Sequence, residues 1–231
     1  MTEITDHLAN IVERIACTTV HAKRPAESVT IVAVSKAQPV DAIARAYQAG
    51  LRHFGESYVQ EALPKMAALT ELAITWHFIG TLQTNKTRAV AERFDWVHTI
   101  DRLKIAERLN EQRPRFAPLL NVLIQVNQGG ETQKGGVAAD EVLPLARAIL
   151  ELPRLRVRGL MTIPPQSGER ANEFFLELGA IRDRLAKAGL ELDTLSMGMS
   201  ADFEAAIAAG ATFVRIGTAL FGARHGTPRA E

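Results

Sequence analysis

The 231-residue chain has little cysteine, little charge imbalance and no long apolar run. Cys17 is its single cysteine, so no disulfide can form within the chain and a reducing compartment is expected. With 27 basic and 26 acidic residues the net charge is +1, which gives no basic surface for nucleic acid or membranes. No apolar run approaches the ~18 residues of a membrane span, and the polar N-terminus does not resemble a signal peptide. We expect a cytoplasmic protein that binds neither nucleic acid nor membrane.

Several signatures of well-known chemistry are also missing from the sequence. It contains no His-x-x-x-His or Cys-x-x-Cys pair, so we predict no metal site. It contains no Gly-x-Ser-x-Gly elbow of the serine hydrolases. The segment 130–136 is rich in glycine but lacks the Gly-Lys-Ser/Thr of a phosphate-binding loop, and we interpret it as a flexible surface loop.

Strand-like and helix-like segments alternate along the chain, after a first amphipathic helix at about 5–22. The predicted strands are 29–35, 53–55, 74–80, 96–100, 119–126, 155–163, 194–197 and 213–217. The predicted helices between them are 39–49, 58–72, 85–93, 102–112, 139–151, 171–188 and 201–209. Such alternation predicts parallel β/α units, and eight of them favour a closed (β/α)₈ TIM barrel, although ~250 residues is the usual size. The alternative is an open doubly wound sheet, but no Gly-x-Gly-x-x-Gly follows the first strand. We expect one domain over 1–231 with a frayed tail at 224–231.

A lysine ends the first predicted strand. Alternation along the strand puts Val32, Val34 and Lys36 on one face. If that face lines a barrel, Lys36 lies at its mouth, where poor hydration favours the neutral amine that can form a Schiff base with an aldehyde. Alternatively, the lysine simply extends into water. Glu56 is a candidate partner of Lys36 in an ion pair.

The other predicted strand ends matter because function in such barrels resides there. Arg215 is followed by Gly217, which frees the backbone, and by Thr218, which opens a helical turn. The loops after strands seven and eight commonly bind phosphate, and the hydroxyl of Ser200 could contribute. The alternative is a tight turn capped by Thr218, and the acidic first turn of the helix after Ser200 weakens the anion site.

Two further residues allow two interpretations each. Arg215 is either part of an ion pair in the barrel wall or a donor to an aromatic nitrogen of a bound cofactor. His77, near the end of the third strand, is more often a core histidine with its hydrogen bonds satisfied than a ligand-binding group.

Several segments, in order along nearly the whole chain, resemble the pyridoxal phosphate homeostasis proteins. They are Val-Ala-Val-Ser-Lys at 32–36, Phe-Gly-Glu-Ser-Tyr-Val-Gln-Glu at 54–61, Trp-His-Phe-Ile-Gly-Thr-Leu-Gln-Thr-Asn-Lys at 76–86, Arg-Gly-Leu-Met at 158–161, Leu-Ser-Met-Gly-Met-Ser at 195–200, Arg-Ile-Gly-Thr at 215–218 and Phe-Gly at 221–222. The resemblance implies a fold similar to the barrel domain of bacterial alanine racemase.

The resemblance also implies a cofactor and the residues around it. Lys36 would carry pyridoxal 5′-phosphate as a Schiff base, and six further residues would surround the cofactor. They are Ser200, Gly217 and Thr218 at the phosphate, Arg215 at the pyridine nitrogen, and His77 and Met199 beside the ring. One position departs from the family, which usually has Gly-Glu-Asn where this chain has Gly55-Glu56-Ser57, so any polar contact at Ser57 stays open.

The function that the resemblance implies is cofactor homeostasis rather than catalysis. An arginine at the pyridine nitrogen makes the ring a weak electron sink. Racemisation also needs a second base, which in alanine racemase is a tyrosine of the neighbouring subunit near a second domain, and this chain offers only Tyr47 and Tyr58. We expect a monomer without catalytic residues that buffers pyridoxal phosphate or delivers it to apo enzymes. The alternatives are an amino-acid racemase or related enzyme, with Tyr58 or water as second base, and a barrel with only structural or partner roles.

Overall fold

The computed structural model describes residues 3–130, 135–165 and 171–222, and within them eight parallel strands close into a barrel in chain order. The strands are β1 Thr30–Val34, β2 His53–Glu56, β3 Thr75–Phe78, β4 Trp96–Ile100, β5 Leu120–Gln125, β6 Leu155–Met161, β7 Thr194–Met199 and β8 Phe213–Ile216. Pairing of Val32 in β1 with Arg215 in β8 closes the ring. The predicted closed barrel is therefore confirmed, and the open sheet is wrong.

Helices surround the barrel and follow the predicted alternation. They are α1 Glu3–His21, α2 Val40–Gln48, α3 Val59–Ala68, α4 Thr87–Arg93, α5 Leu103–Gln112, α6 Val142–Leu150, α7 Ala171–Lys187, α8 Phe203–Ala208 and α9 Thr218–Phe221. Short 3₁₀ turns cover Ala26–Ser28 and Thr84–Lys86. Within the described ranges, no helix combines the length and apolar character needed to cross a membrane.

Boundaries differ from the sequence prediction mainly where strands end. Residues 79–80 and 162–163 were predicted as strand but lie beyond β3 and β6, because sheet pairing stops before them. Residues 131–134 of the predicted surface loop, and the predicted frayed tail at 224–231, fall outside the described residues.

Glycines end two of the helices as their sequence context indicates. Gly50 follows α2 with φ of 109°, and Gly210 follows α8 with φ of 103°. Side chains with a Cβ rarely adopt that left-handed region, which explains glycine directly before the two short strands β2 and β8.

The core has two layers, as expected when side chains alternate along barrel strands. Val32 packs inside the barrel with Trp96, Leu123, Met161 and Phe213. Its chain neighbour Ala33 belongs instead to the larger cluster between the strands and the helices. Position 36 continues the series of alternate residues from Val32 and therefore points to the mouth of the barrel.

Candidate functional site

A cavity lies where β1, β7 and β8 end, and we call it the main cavity because most of the predicted site residues line it. Its volume is about 270 Å³. Six of the seven residues predicted for the site line it, namely Lys36, Met199, Ser200, Arg215, Gly217 and Thr218. The structure thus brings together residues that are up to 182 positions apart in the sequence.

A buried network holds the residue before Lys36. Ser35 has no exposed surface, and its hydroxyl donates to Oε1 of Glu56 over 2.6 Å. Nζ of Lys65 donates to the backbone oxygen of Ser35 and to Oε1 of Glu56, both over 2.8 Å. Glu61 holds Ala37, the residue on the other side of Lys36. We therefore call Glu56, Glu61 and Lys65 the clamp.

The residue after Lys36 is held in an uncommon conformation. Ala37 has φ of 60°, in the left-handed region that alanine avoids at a cost of order 1 kcal/mol. Its amide donates to Oε1 of Glu61 over 2.5 Å, and Nζ of Lys65 also donates to that oxygen over 2.5 Å. The clamp therefore fixes the backbone on both sides of Lys36.

The predicted ion pair between Glu56 and Lys36 is wrong, because the Glu56 carboxylate instead pairs with Lys65 and accepts from the hydroxyl of Ser35. Glu56 points away from the barrel interior, on the face opposite to its neighbour Gly55. Burial raises the pKa of Glu56 above its usual range, and the hydrogen bonds from Lys65 and Ser35 offset part of that rise. Glu56 therefore stabilises the backbone next to Lys36.

Arg215 forms part of the cavity floor and is almost fully buried. Nη1 donates to the hydroxyl of Ser196 over 2.8 Å, and Nη2 donates to the backbone oxygen of Thr162 over 2.9 Å. Burial lowers the pKa of Arg215 to about 10, so the guanidinium stays protonated at neutral pH. Neither of these hydrogen-bond partners is a carboxylate, and the predicted wall ion pair is not found among the described residues. The carboxylate of Asp202 acts on the guanidinium only electrostatically, which offsets part of the effect of burial.

His77 was predicted to lie beside the ring of the cofactor, but the structure places it inside the barrel, away from the described lining of the main cavity. The side chain has no exposed surface and is not among the described residues that line the main cavity. It stacks on Trp96 inside the barrel, with ring centroids 5.6 Å apart. Nδ1 lies 2.9 Å from Nε2 of His98, and Nε2 lies 2.9 Å from Nδ1 of His53. The interpretation as a core histidine with satisfied hydrogen bonds is the one that the contacts support.

The two fully buried histidines predict a pH dependence of stability. Burial holds the pKa values of His77 and His98 well below the usual range, so both stay neutral in the folded chain. Unfolded histidines take up protons below about pH 6.5. The free energy of unfolding should therefore decrease as the pH is lowered below that value, by up to ~1.4 kcal/mol per pH unit for each histidine. Burial raises the pKa values of Glu56, Asp95 and Asp101, which act in the opposite sense.

A variant comparison isolates the histidine contribution. We expect His98→Gln to reduce the slope of unfolding free energy against pH between pH 7 and 5.5, measured by urea denaturation. Identical slopes in the variant and the parent chain would contradict the neutral state of His98.

The side of the cavity that is predicted to bind an anion lies around the start of α9. Gly217 and Thr218 begin this helix, where backbone N–H groups have no partner within the helix. The hydroxyl of Ser200 accepts a hydrogen bond from the amide of Ala219 over 3.3 Å, which brings Ser200 to the same turn. Asp202, in the acidic turn that weakened this prediction, accepts through Oδ1 from the amide of Met199 over 2.6 Å and also interacts electrostatically with Arg215.

Gly198 sets the course of the chain that carries Met199 and Ser200. Its φ is 86°, and a Cβ there would lie only 2.5 Å from Cβ of Ala206. Glycine is therefore required both by the backbone conformation and by the approach of α8.

A side cavity of about 450 Å³ adjoins the main one and shares Lys36, Ser57 and Ile79 with it. Lys86 and the exposed Tyr58 also line it. No Asp or Glu is among the described residues that line either cavity, so their charged groups are all cationic. This electrostatic character favours an anionic ligand.

Sequence reasoning missed part of the lining. The additional residues of the main cavity are Val34, Gln38, Ser57, Ile79, Ile163, Ala201 and Gly222. A signal existed for one of them: Ile163 lies two residues beyond the last residue of β6 and continues the two-residue period of that strand. Gln38 follows the turn at Ala37, so the period of β1 does not predict its position. Ser57, whose contact the sequence left open, lines both cavities.

Comparisons with known proteins agree with this fold. The profile of the alanine racemase N-terminal domain family matches residues 7–225. A relative from Pseudomonas aeruginosa, named pyridoxal phosphate homeostasis protein, is 52% identical over 229 residues, which cover 99% of this chain and 99% of the relative.

Two solved structures are also similar. PipY of Synechococcus elongatus, solved with PLP bound, is 38% identical, with a TM-score of 0.80 over 92% of this chain and 100% of that chain. An alanine racemase of Clostridium difficile is 15% identical, with a TM-score of 0.74 over 98% of this chain and 58% of that chain. The racemase likeness concerns the fold alone.

Proposed function

The chain belongs to the pyridoxal phosphate homeostasis proteins, a family built on the alanine racemase N-terminal domain, and from that membership we propose that it binds pyridoxal 5′-phosphate as a Schiff base on Lys36. By holding the cofactor reversibly, the protein would buffer the cofactor concentration inside the cell, or deliver the cofactor to apo enzymes that depend on it. The PLP-bound structure of the relative PipY supports the choice of cofactor.

One observation carries the proposal: Lys36, Arg215 and the start of α9 line the same cavity. Pyridoxal phosphate has an aldehyde, a pyridine nitrogen and a phosphate, and these residues match each group in chemistry. The amine of Lys36 suits the aldehyde, the guanidinium of Arg215 suits the nitrogen, and the amides of Gly217 and Thr218 with the hydroxyl of Ser200 suit the phosphate. The residues present therefore fit the cofactor.

The residues of this chain have separate tasks around the cofactor. When bound, pyridoxal phosphate supplies an aldehyde carbon that condenses with an amine. Lys36 offers that amine from a backbone that the clamp fixes on both sides. Arg215 has only donors, so it would hydrogen-bond an unprotonated pyridine nitrogen and leave the ring a weak electron sink. Such a site favours holding the cofactor over turning over amino acids.

The lining of the main cavity favours a binding role in a second way. Besides Lys36, no Asp, Glu, His, Tyr or Cys is among its described lining residues, so they offer no second proton-transfer group for racemisation. Tyr58, the tyrosine that the enzyme alternative invokes, lines the side cavity and is 64% exposed. The racemase stays the second candidate because the side cavity adjoins Lys36.

The proposal is tested on the purified full chain with added pyridoxal phosphate. We expect a visible absorption band that borohydride fixes, and a mass increase on the peptide that contains Lys36. Incubation of the loaded protein with L-alanine in deuterated water then separates the two candidates. Exchange at Cα at an enzyme-like rate would favour the racemase, whereas a protein without any fixable band would refute both.

Three further statements stay predictions. They are the monomeric state, the single domain over residues 1–231 and the transfer of the cofactor to apo enzymes. Transfer would be measured as activity gained by an apo enzyme mixed with the loaded protein, compared with free cofactor at the same concentration.

A further inference from the structure

A row of hydrogen-bonded histidines crosses the inside of the barrel and ends at Arg215. Nδ1 of His53 lies 2.9 Å from Nε2 of His77, and Nδ1 of His77 lies 2.9 Å from Nε2 of His98. Nδ1 of His98 lies 2.9 Å from the hydroxyl of Ser196, which accepts from Nη1 of Arg215 over 2.8 Å. We call His53, His77, His98 and Ser196 the histidine column.

The column advances toward the carboxyl ends of the strands at each histidine step. His53 in β2 is in register with Thr75 of β3, and His77 lies two residues beyond it. His77 is in register with Trp96 of β4, and His98 lies two residues beyond that. His53 is half-buried at the start of its strand, whereas His77, His98 and Ser196 have no exposed surface. The column therefore runs from the amino end of the barrel to the cavity floor.

The direction of the hydrogen bonds follows from the guanidinium. Arg215 has only donors, so the hydroxyl of Ser196 accepts from it and donates its own hydrogen to Nδ1 of His98. A neutral imidazole has one donor and one acceptor, so Nε2–H of His98 then donates to His77, and Nε2–H of His77 donates to His53. Burial lowers the pKa values of all three histidines, which agrees with neutral rings.

A metal site does not explain this cluster. The ring nitrogens point at one another in pairs rather than toward one shared point, and a group of three possible ligands suited to a metal ion is not found among the described residues. Packing alone does not explain it either, because apolar side chains such as Val32 and Leu123 fill neighbouring positions of the interior without the cost of burying polar atoms.

The neutrality of the column has a consequence for Arg215. A carboxylate partner would fix the guanidinium but would also cancel its charge. The column and the backbone oxygen of Thr162 fix it with uncharged acceptors, so the hydrogen bonds that hold the guanidinium do not cancel its charge. Asp202 acts on it electrostatically without a hydrogen bond to it among the described contacts.

We propose that Ser196, His98, His77 and His53 are positioning residues that orient Arg215 toward the pyridine nitrogen of the cofactor without neutralising it. This inference rests on the proposed function, because that function supplies the cofactor whose pyridine nitrogen the guanidinium would contact. The column touches neither substrate nor cofactor and acts only through Arg215.

The first measurement uses the protein without cofactor. Nitrogen-15 NMR of the histidine side chains should find all three column histidines neutral and protonated on Nε2 at pH 7. Ser196→Ala should shift the Nδ1 resonance of His98, which loses its donor. An imidazolium, or an Nδ1–H tautomer at His77 or His98, would overturn the proposed column.

The second measurement compares cofactor binding by two variants of the same strand. Ser196→Ala removes the link to Arg215, and we expect about tenfold weaker binding of pyridoxal phosphate and a changed visible circular dichroism band. Thr194→Val is the control, because Thr194 is also buried in β7 but its hydroxyl donates to Asp193, outside the column. Binding should stay within twofold of the parent chain in this control.

The outcomes separate the two proposals. Equal affinity and identical circular dichroism in Ser196→Ala and Thr194→Val, both still folded by far-ultraviolet circular dichroism, would overturn the positioning role while leaving the proposed function intact. Absence of binding by the parent chain itself would instead refute the proposed function, and the positioning role with it. Weaker binding in Ser196→Ala alone supports the positioning role.

Discussion

Replacing Lys36 with alanine is expected to abolish the band that borohydride fixes in the presence of pyridoxal phosphate. Lys36 is the single lysine among the described residues that line the main cavity, so no other lysine amine there can form the covalent bond to the aldehyde. Contacts to the phosphate and ring nitrogen remain in the variant, so we expect residual noncovalent binding weaker by about a hundredfold or more. Absorption spectra before and after borohydride, with mass spectrometry of the reduced protein, measure the effect.

The matched control for this variant is Lys86→Ala. Lys86 lines the side cavity next to Lys36, so it tests whether any nearby lysine can replace the proposed one. The control should keep the fixable band and the mass increase at Lys36. A fixable band of full intensity in Lys36→Ala would show that the cofactor is held by another amine, and the assignment of Lys36 would be wrong.

Replacing Lys65 with methionine is expected to destabilise the fold by about 3–5 kcal/mol, because it leaves a buried carboxylate without its cation. Glu56 has no exposed surface, and its Oε1 accepts from Lys65 while its Oε2 has no hydrogen-bond partner. Urea denaturation measures the loss of unfolding free energy. Faster hydrogen exchange at the amide of Ala37 should accompany it, because the same lysine holds Glu61, which accepts from that amide.

Two further variants make this prediction specific to the clamp. Adding Glu56→Gln to Lys65→Met removes the buried charge and should recover part of the lost stability. Lys86→Met, at a partly exposed lysine for which no ion pair is found among the described residues, should change the unfolding free energy by less than about 0.5 kcal/mol. A cost below about 1 kcal/mol for Lys65→Met would contradict the clamp as a stabilising element.

The architecture and most of the predicted site could be derived from patterns local in the sequence. Alternation of apolar runs with helical periodicity predicted the β/α units, and the two-residue period from Val32 to Lys36 predicted that the lysine would reach the barrel mouth. Local motifs predicted Ser200, Gly217 and Thr218 because each lies directly where a strand ends. Such patterns succeed because they depend on backbone geometry over a few residues.

The predictions that failed concern contacts between different strands and helices. Glu56 pairs with Lys65 rather than Lys36, since the face of β2 on which it lies turns toward the helices. His77 was predicted to line the ring pocket, but its partners are His53, His98 and, beyond them, Ser196, which lies 98 residues from His98 along the chain. No local spacing indicates such contacts.

The amino-acid sequence by itself determined the repeating β/α units, the face of the first strand that carries Lys36, and the glycines that end helices, since each follows from short-range sterics and burial. Tertiary structure alone decided which lysine pairs with Glu56, how Arg215 is held without a carboxylate, and which residues share a cavity. Closing the barrel sets these contacts, because it brings strands together in a register that the sequence of any one strand does not encode.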